Sequence, residues 1–321
     1  MKSLDLNKLP FIEELVSGNL QNGKFLLRQI SIHKSKQSKY LRMILADKTG
    51  HLPAIYFSSS VEIEKLYSEL KGGSIIETNG VIESYKGIIQ LKALSIKEST
   101  DTDIDLSRFW RRTPHDRRTL YRDLKNLLQE ISQPALKELC TAFLKSSDFM
   151  RSFIDAPASR RAHHAYIGGL LEHTVNVLKL LKQFSIIYPQ SDHDLLLAGG
   201  FIRKIGKVDE YETLQLSIDT SDLGKLKGHT LLGYDRLKKE LEKIPIDEKV
   251  RLKLEHILLS HQGKKEWGAI EEPRFLEAYL VHAADQLDAT RFIYSEAKNQ
   301  VQQDSRWSGV NEYIGREIYL G

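Results

Sequence analysis

The spacing of hydrophobic positions changes once along the chain. Between about Lys24 and Ser99 the runs KFLLRQISIH, YLRMILAD, HLPAIYF, SIIETNGVIESY and GIIQLKALSI are alternating or β-branched, and KSKQSK, KTG and YKG segments separate them. This pattern predicts five strands, with a helix over SVEIEKLYSELK between the third and the fourth. From about Arg111 onward the period becomes helical almost to the end. Ile167, Leu170, Leu171, Thr174, Leu178 and Leu181 share one face, as do Val250, Leu254, Ile257, Leu258 and His261. Pro273 suits the first turn of a helix through FLEAYLVHAADQLDATRFIYSEAK. The expected organisation is multidomain: a short helical segment at 1–20, a small all-β barrel at 21–99, a polar connector at 100–112 containing STDTDIDLS, and an all-α domain at 113–321.

Composition narrows the function classes. A chain of 321 residues, 41% apolar and 28% charged, has room for two ordinary domains and excludes a fibrous or largely disordered protein. Its uninterrupted apolar runs fall short of the ~18 residues needed to cross a bilayer. The N-terminus, MKSLDLNKLPFIEELV, places acids among its apolar residues and lacks the pattern of a secretory signal. A cytoplasmic protein without membrane contact is therefore expected. The single cysteine, Cys140, excludes an internal disulfide, and KELCTAFLK reads as a helix with the thiol turned inward rather than as a catalytic nucleophile. Charge is uneven: the first hundred residues hold 12 Lys and 2 Arg against 10 acids, so the whole formal excess of +4 lies there. That excess favours nucleic-acid contact only in combination with shape.

Three strands, a helix and two strands is the order of a Greek-key barrel of the OB-fold kind. The phrase ADKTGHLPAIYF also resembles the strand-turn-strand of OB-folds that bind tRNA or single-stranded nucleic acid. In such barrels the face of the second and third strands and the adjoining loops hold the ligand. Those positions are Lys34, Lys36, Lys39, Tyr40, Arg42, Tyr56, Phe57, Tyr85 and Lys86. Cations that follow a backbone beside aromatics that stack on bases suit single-stranded RNA or DNA. Strand alternation lets only one of Tyr56 and Phe57 face outward.

The helical region contains His163, His164, His173, His229, His256, His261 and His282, in phrases that include HHAYIGGLLEHTVNVLKL, LKGHTLLGYDRL, HILLSHQG and HAADQLDA. These phrases resemble the HD-domain metal-dependent phosphohydrolases, and among them the YhaM-type 3′-to-5′ exoribonucleases, in which an OB-fold precedes the HD domain. The resemblance implies an all-α HD-domain helical bundle whose His and Asp side chains hold one or two divalent ions, often manganese, that activate water against a phosphodiester. Carried over by motif, the remnant metal ligands are His173, His229, His261 and Asp285.

Two motifs depart from the family. The LLHDIGK phrase reads FIRKIGK, with Arg203 and Lys204 in place of His and Asp, and the second histidine of an SHHG pair is Gln262. Exchanging an imidazole for guanidinium and a carboxylate for ammonium adds three units of positive charge. Two such cations about 4 Å apart repel by roughly 4 kcal/mol at an effective dielectric near 20, and a divalent ion doubles the figure. Neither side chain has a lone pair to donate. The expectation is a nucleic-acid-binding protein, with RNA favoured, that has lost HD-type hydrolysis and needs no cofactor. An ion pair between Lys204 and Asp285 is expected, and Arg203, Lys204, Lys207, His163 and His164 are candidate phosphate contacts. Two alternatives stay open: an active exoribonuclease or phosphodiesterase on a reduced site holding a divalent metal such as Mn2+, and a non-catalytic scaffold that forms a homo-oligomer or associates with an active relative.

Overall fold

The computed structural model describes residues 9–34, 38–85, 88–101, 104–214, 217–299 and 306–321. It divides into two compact units. The first comprises the described residues up to Arg111 with Thr213–Ser217 and Tyr294–Gly321; the second comprises Arg112–Glu212 and Ile218–Ile293.

In the first unit, β1 (Gly18–Lys34), β2 (Lys39–Ala46), β3 (His51–Phe57), β4 (Ile75–Tyr85) and β5 (Ile88–Glu98) close into a barrel in the order β1-β2-β3-β5-β4. All ladders are antiparallel except β3 with β5. Helix α1 (Ser60–Glu69) lies between β3 and β4 in sequence, as the strand pattern predicts. The two-residue period is visible in β2, where Leu41, Met43 and Leu45 are buried, and in β3, where Leu52, Ala54 and Tyr56 are. Helix α1 adds Ile63 and Leu66 to the same core. The ADKTG turn is held by Asp47, whose carboxylate accepts from the backbone N–H groups of Thr49 (2.7 Å), Gly50 (3.2 Å) and Ile12 (2.7 Å). Gly80 sits at a register shift in β4, where a Cβ would stand 2.4 Å from the Lys92 carbonyl oxygen.

The expected helical segment at 1–20 is reduced, among the described residues, to one 3-10 turn at Ile12–Glu14. Strand β1 begins at Gly18 because Leu20 belongs to the barrel core, and a bulge between Leu20 and Gly23 lets one long strand pair with β4 and then with β2. The C-terminal residues from Tyr294 group with the barrel rather than with the expected 113–321 domain, and the Arg111 guanidinium meets the Glu296 carboxylate through both terminal nitrogens.

The second unit contains α2 (Arg117–Gln129), α3 (Pro134–Lys145), α4 (Ser147–Asp155), α5 (Gly169–Ile187), α6 (His193–Ile202), the short α7 (Lys207–Glu210), α8 (Asp222–Leu241), α9 (Glu248–Ser260) and most of α10 (Leu276–Asn299). Leu170, Leu178 and Leu181 of α5, Leu196 and Phe201 of α6, and Ile257 and Leu258 of α9 are fully buried in its core. Two departures from the sequence reading occur. A two-stranded hairpin, β6 (Tyr211–Leu214) with β7 (Ser217–Thr220), interrupts the helices; four-residue strands are too short to register as a period. Pro273 lies ahead of α10, which begins at Leu276.

Candidate functional site

Six elements of the helical unit bring the histidine phrases together. His163 and His164 precede α5, which supplies His173. Arg203 and Lys204 follow α6, Glu210 ends α7, His229 lies in α8, His261 and Gln262 follow α9, and Asp285 and Asp288 share one face of α10. Close backbone approaches fix this arrangement. Gly206 passes against α8, so a Cβ there would stand 2.0 Å from the His229 carbonyl oxygen. Helix α8 is broken at Gly228 (φ 69°), a left-handed conformation that suits glycine, and the break frees the His229 N–H to donate to Glu210 Oε1 at 3.2 Å.

The centre is an oxygen with three polar neighbours. Asp285 Oδ1 lies 2.7 Å from Arg203 Nε, 3.0 Å from Lys204 Nζ and 2.9 Å from His173 Nε2. The expected Lys204–Asp285 pair is therefore present, and Arg203 joins it. His173 meets an accepting carboxylate at each nitrogen, Nδ1 at 2.7 Å from Asp288 Oδ2 and Nε2 at 2.9 Å from Asp285 Oδ1. The shorter contact and the Lys204 ammonium beside Nε2, which cannot accept, place the neutral ring's one hydrogen on Nδ1. The neutral ring then offers its Nε2 lone pair to Lys204 Nζ at 3.1 Å. The Lys204 ammonium thus bridges His173 Nε2 and Asp285 Oδ1, with His163 Nε2 3.5 Å away.

The electrostatics agree with these assignments. Burial, followed by the nearby Lys204 charge, lowers the His173 pKa and keeps the ring neutral. Burial alone would raise the Asp285 carboxyl, but Lys204 and then Arg203 hold it well below the usual range. Burial pushes the Lys204 ammonium down to about 8 against the attraction of Asp285. Burial alone would raise the Asp288 carboxyl, but the His173 hydrogen bond and the charges of His173, His164 and Arg291 together hold it at about 2.

A second group lies around His229. Its Nδ1 is 3.2 Å from Glu210 Oε1, and His261 Nδ1 donates to the Leu258 carbonyl at 2.7 Å. Both rings therefore turn Nε2 lone pairs toward each other, 3.3 Å apart. Burial lowers His229 to about 4 and His261 well below its ordinary value. Gln262 Nε2 is 3.4 Å from His229 Nε2, while Gln262 Oε1 is buried without a hydrogen-bond partner. Lys207 is tied to Glu210 at 2.5 Å and to the Tyr211 hydroxyl at 3.1 Å.

Two halves of the pocket fit a divalent ion differently. At His173 and Asp285 both donor atoms already hold the Lys204 ammonium, so an ion there must displace a cation and still face the Arg203 guanidinium; this half does not fit. At His229 and His261 two nitrogen lone pairs converge at a spacing suited to one ion with Zn–N bonds of about 2.0–2.1 Å, although the Gln262 amide already approaches His229 Nε2 and the Lys204 charge acts on both rings. A further donor trio, His164, His173 and Asp288, has ligand atoms within 4.8 Å of one another, but all three residues are buried. Sequence reasoning missed Asp288, although its i+3 spacing from Asp285 puts both on one helical face. It also missed Glu172, which accepts from the Tyr166 hydroxyl at 2.9 Å and from Thr113 Oγ1 at 2.5 Å.

The five phosphate candidates are poorly placed for an anion. Arg203 and His164 are 1% and 0% exposed, and Lys204 and Lys207 are committed to carboxylates; only His163 is half-buried. Arg203 keeps one terminal nitrogen, Nη2, without a hydrogen-bond partner, but that atom is buried as well.

On the barrel, His33, Tyr40 and Phe57 are cross-strand neighbours on β1, β2 and β3. Tyr40 stacks on Phe57 with centroids 5.0 Å apart, and His33 is 5.7 Å from Tyr40. Phe57 is 47% exposed, and Arg42 and Lys34 are exposed as well. Tyr56 is corrected to a core residue, since it alternates with Phe57 and points inward. Lys39 is ion-paired with Glu64, so its charge is partly answered. Lys36 and Lys86 lie outside the described residues, as does the Tyr85 side chain. His33 escaped the sequence reading because only the register places it beside Tyr40. Cys140 is buried and its thiol is pushed up to about 12, which agrees with an inert core role.

Residues 170–290 match the HD domain. That stretch contains every residue of the pocket except His163 and His164. Among solved structures, the second OB-fold domain of replication protein A from Methanococcus maripaludis is 17% identical over 30% of this chain and 98% of that one, with a TM-score of 0.23. The asparaginyl-tRNA synthetase of Entamoeba histolytica is 12% identical over 54% of this chain and 33% of its own length, also with a TM-score of 0.23. No helix among the described residues is long and apolar enough to cross a membrane.

Proposed function

We propose that this is a nucleic-acid-binding protein, with single-stranded RNA as the favoured ligand, related to the YhaM-type exoribonucleases and without their two-metal hydrolysis. The observation that carries the reading is the Lys204 ammonium between His173 Nε2 and Asp285 Oδ1, 3.1 and 3.0 Å away. A permanent side chain supplies a cation there and takes up the donor atoms, so water is not brought to a phosphodiester by that half of the site. Binding is assigned to the barrel, where the Tyr40–Phe57 stack and Arg42, two residues from Tyr40 on the same strand face, provide ring faces and charge.

The deciding experiment compares the wild type with Arg203→His, Lys204→Asp, Gln262→His in one chain, with manganese supplied, on 3′-labelled single-stranded RNA. The wild type is expected to bind RNA with strong salt dependence and leave it intact, while the revertant gains hydrolysis. Wild-type degradation as fast as the revertant's refutes the proposal.

A second reading rests on the facing His229 and His261 nitrogens, 3.3 Å apart. They favour a single bound transition-metal ion and a slow phosphodiesterase. Elemental analysis of protein purified without chelator separates the two: one metal equivalent lost on His229→Ala supports the second reading, and no metal supports the first.

A further inference from the structure

We propose that the cleft between the start of α2 and the end of α4 is a binding site for the phosphate groups of a nucleotide, separate from the histidine pocket and from the barrel face. The cleft has a volume of about 510 Å³ and lies wholly within the helical unit. That size is within the range of small-molecule sites.

Its chemistry is decided by which charges are already used. Four arginines and two aspartates line it. Asp155 pairs with the Arg117 guanidinium, and Asp116 caps α2 by accepting from Thr119 N at 3.0 Å and Thr119 Oγ1 at 2.9 Å. Both carboxylates are thereby committed to the fold. Arg112, Arg118 and Arg151 are exposed, and among the described residues their side chains have no ion pair or hydrogen bond. Three guanidinium groups therefore face one concavity without a hydrogen-bonded partner, and only Arg118 feels a nearby carboxylate, that of Asp116. Such forks match phosphate oxygens in pairs.

A flat apolar element completes the site. Tyr121, one turn beyond Arg118 on α2, is half-buried in the same lining with Ile154 of α4. A tyrosine ring beside guanidinium groups suits a base or ribose attached to the phosphates, which an acidic peptide would not supply. The floor is rigid, because Thr113 donates its hydroxyl to the buried Glu172 at 2.5 Å.

The shared chemistry, a phosphorylated nucleoside, has two sources: a free nucleotide or the 5′ end of a strand. Calorimetric titration of the full chain with ADP, with a tetranucleotide carrying a 5′-phosphate or a 5′-hydroxyl, and with pyrophosphate distinguishes them. Binding of ADP identifies a free nucleotide; preference for the 5′-phosphorylated strand identifies a strand end. In either case Arg118→Ala with Arg151→Ala is expected to weaken binding by about tenfold or more per guanidinium, with the melting temperature unchanged because both side chains are exposed. Tyr121→Ala is expected to weaken the nucleotide but not pyrophosphate. The proposal is overturned if nothing binds more tightly than pyrophosphate, or if the double arginine variant, or Arg112→Gln as a milder alternative, leaves affinity unaltered. Phe57→Ala leaves this site intact, so its outcome is independent of RNA binding by the barrel.

Discussion

Removing Asp285 tests the buried charge cluster most severely. Two cations depend on its carboxylate, Arg203 at 2.7 Å and Lys204 at 3.0 Å, and both are at most 5% exposed. Each contact represents roughly 5–6 kcal/mol of attraction at an effective dielectric near 20 before desolvation is subtracted. Breaking a buried ion pair by deleting one partner has a net effect of about 3–5 kcal/mol, since it leaves charge uncompensated. For a unit of this size Asp285→Ala should lower the melting temperature by about 6–20 °C. Lys204→Met is the control. It removes one of two cations, leaves Arg203 on Asp285, and fills a similar volume with apolar atoms, so its change should stay within about 1 kcal/mol. Calorimetric melts of both variants at neutral pH check this asymmetry. The reasoning is refuted if Asp285→Ala melts with the wild type, or if Lys204→Met falls as far as Asp285→Ala.

Four further outcomes follow. Burial lowers Lys204 from 10.5 to about 8, so between those values the unfolded chain binds more protons than the native one, and the penalty for a buried ammonium is relieved as pH rises. Wild-type stability relative to Lys204→Met should therefore increase from pH 8 to pH 10, and a flat difference in melting temperature counts against it. Phe57→Ala and Tyr40→Ala should each weaken single-stranded RNA binding by about 1–3 kcal/mol in a fluorescence titration without unfolding the barrel. Tyr56→Ala should instead destabilise it by a few kcal/mol in denaturant melts. Native Cys140 should resist thiol-specific labelling until the protein is unfolded, because its thiol is fully enclosed and pushed up to about 12.

Local patterning alone determined the broad architecture. The two-residue period of YLRMILAD and HLPAIYF and the helical spacing of Leu170, Leu178 and Leu181 predict the barrel and the helices, because burial of one face imposes those periods directly. The replacement of a metal-ligand doublet by Arg203 and Lys204 was equally legible, since charge and donor capacity belong to the side chain wherever it sits. Tertiary structure decided the rest. Only the approach of α10 to α5 brought Asp288 onto His173 and fixed its tautomer, and only strand register placed His33 beside Tyr40 and Phe57. Which arginines remain unpaired was likewise invisible, because Asp155 reaches Arg117 across a sequence separation of 38. Such pairings depend on through-space distances between residues far apart in sequence, and a one-dimensional period carries no information about them.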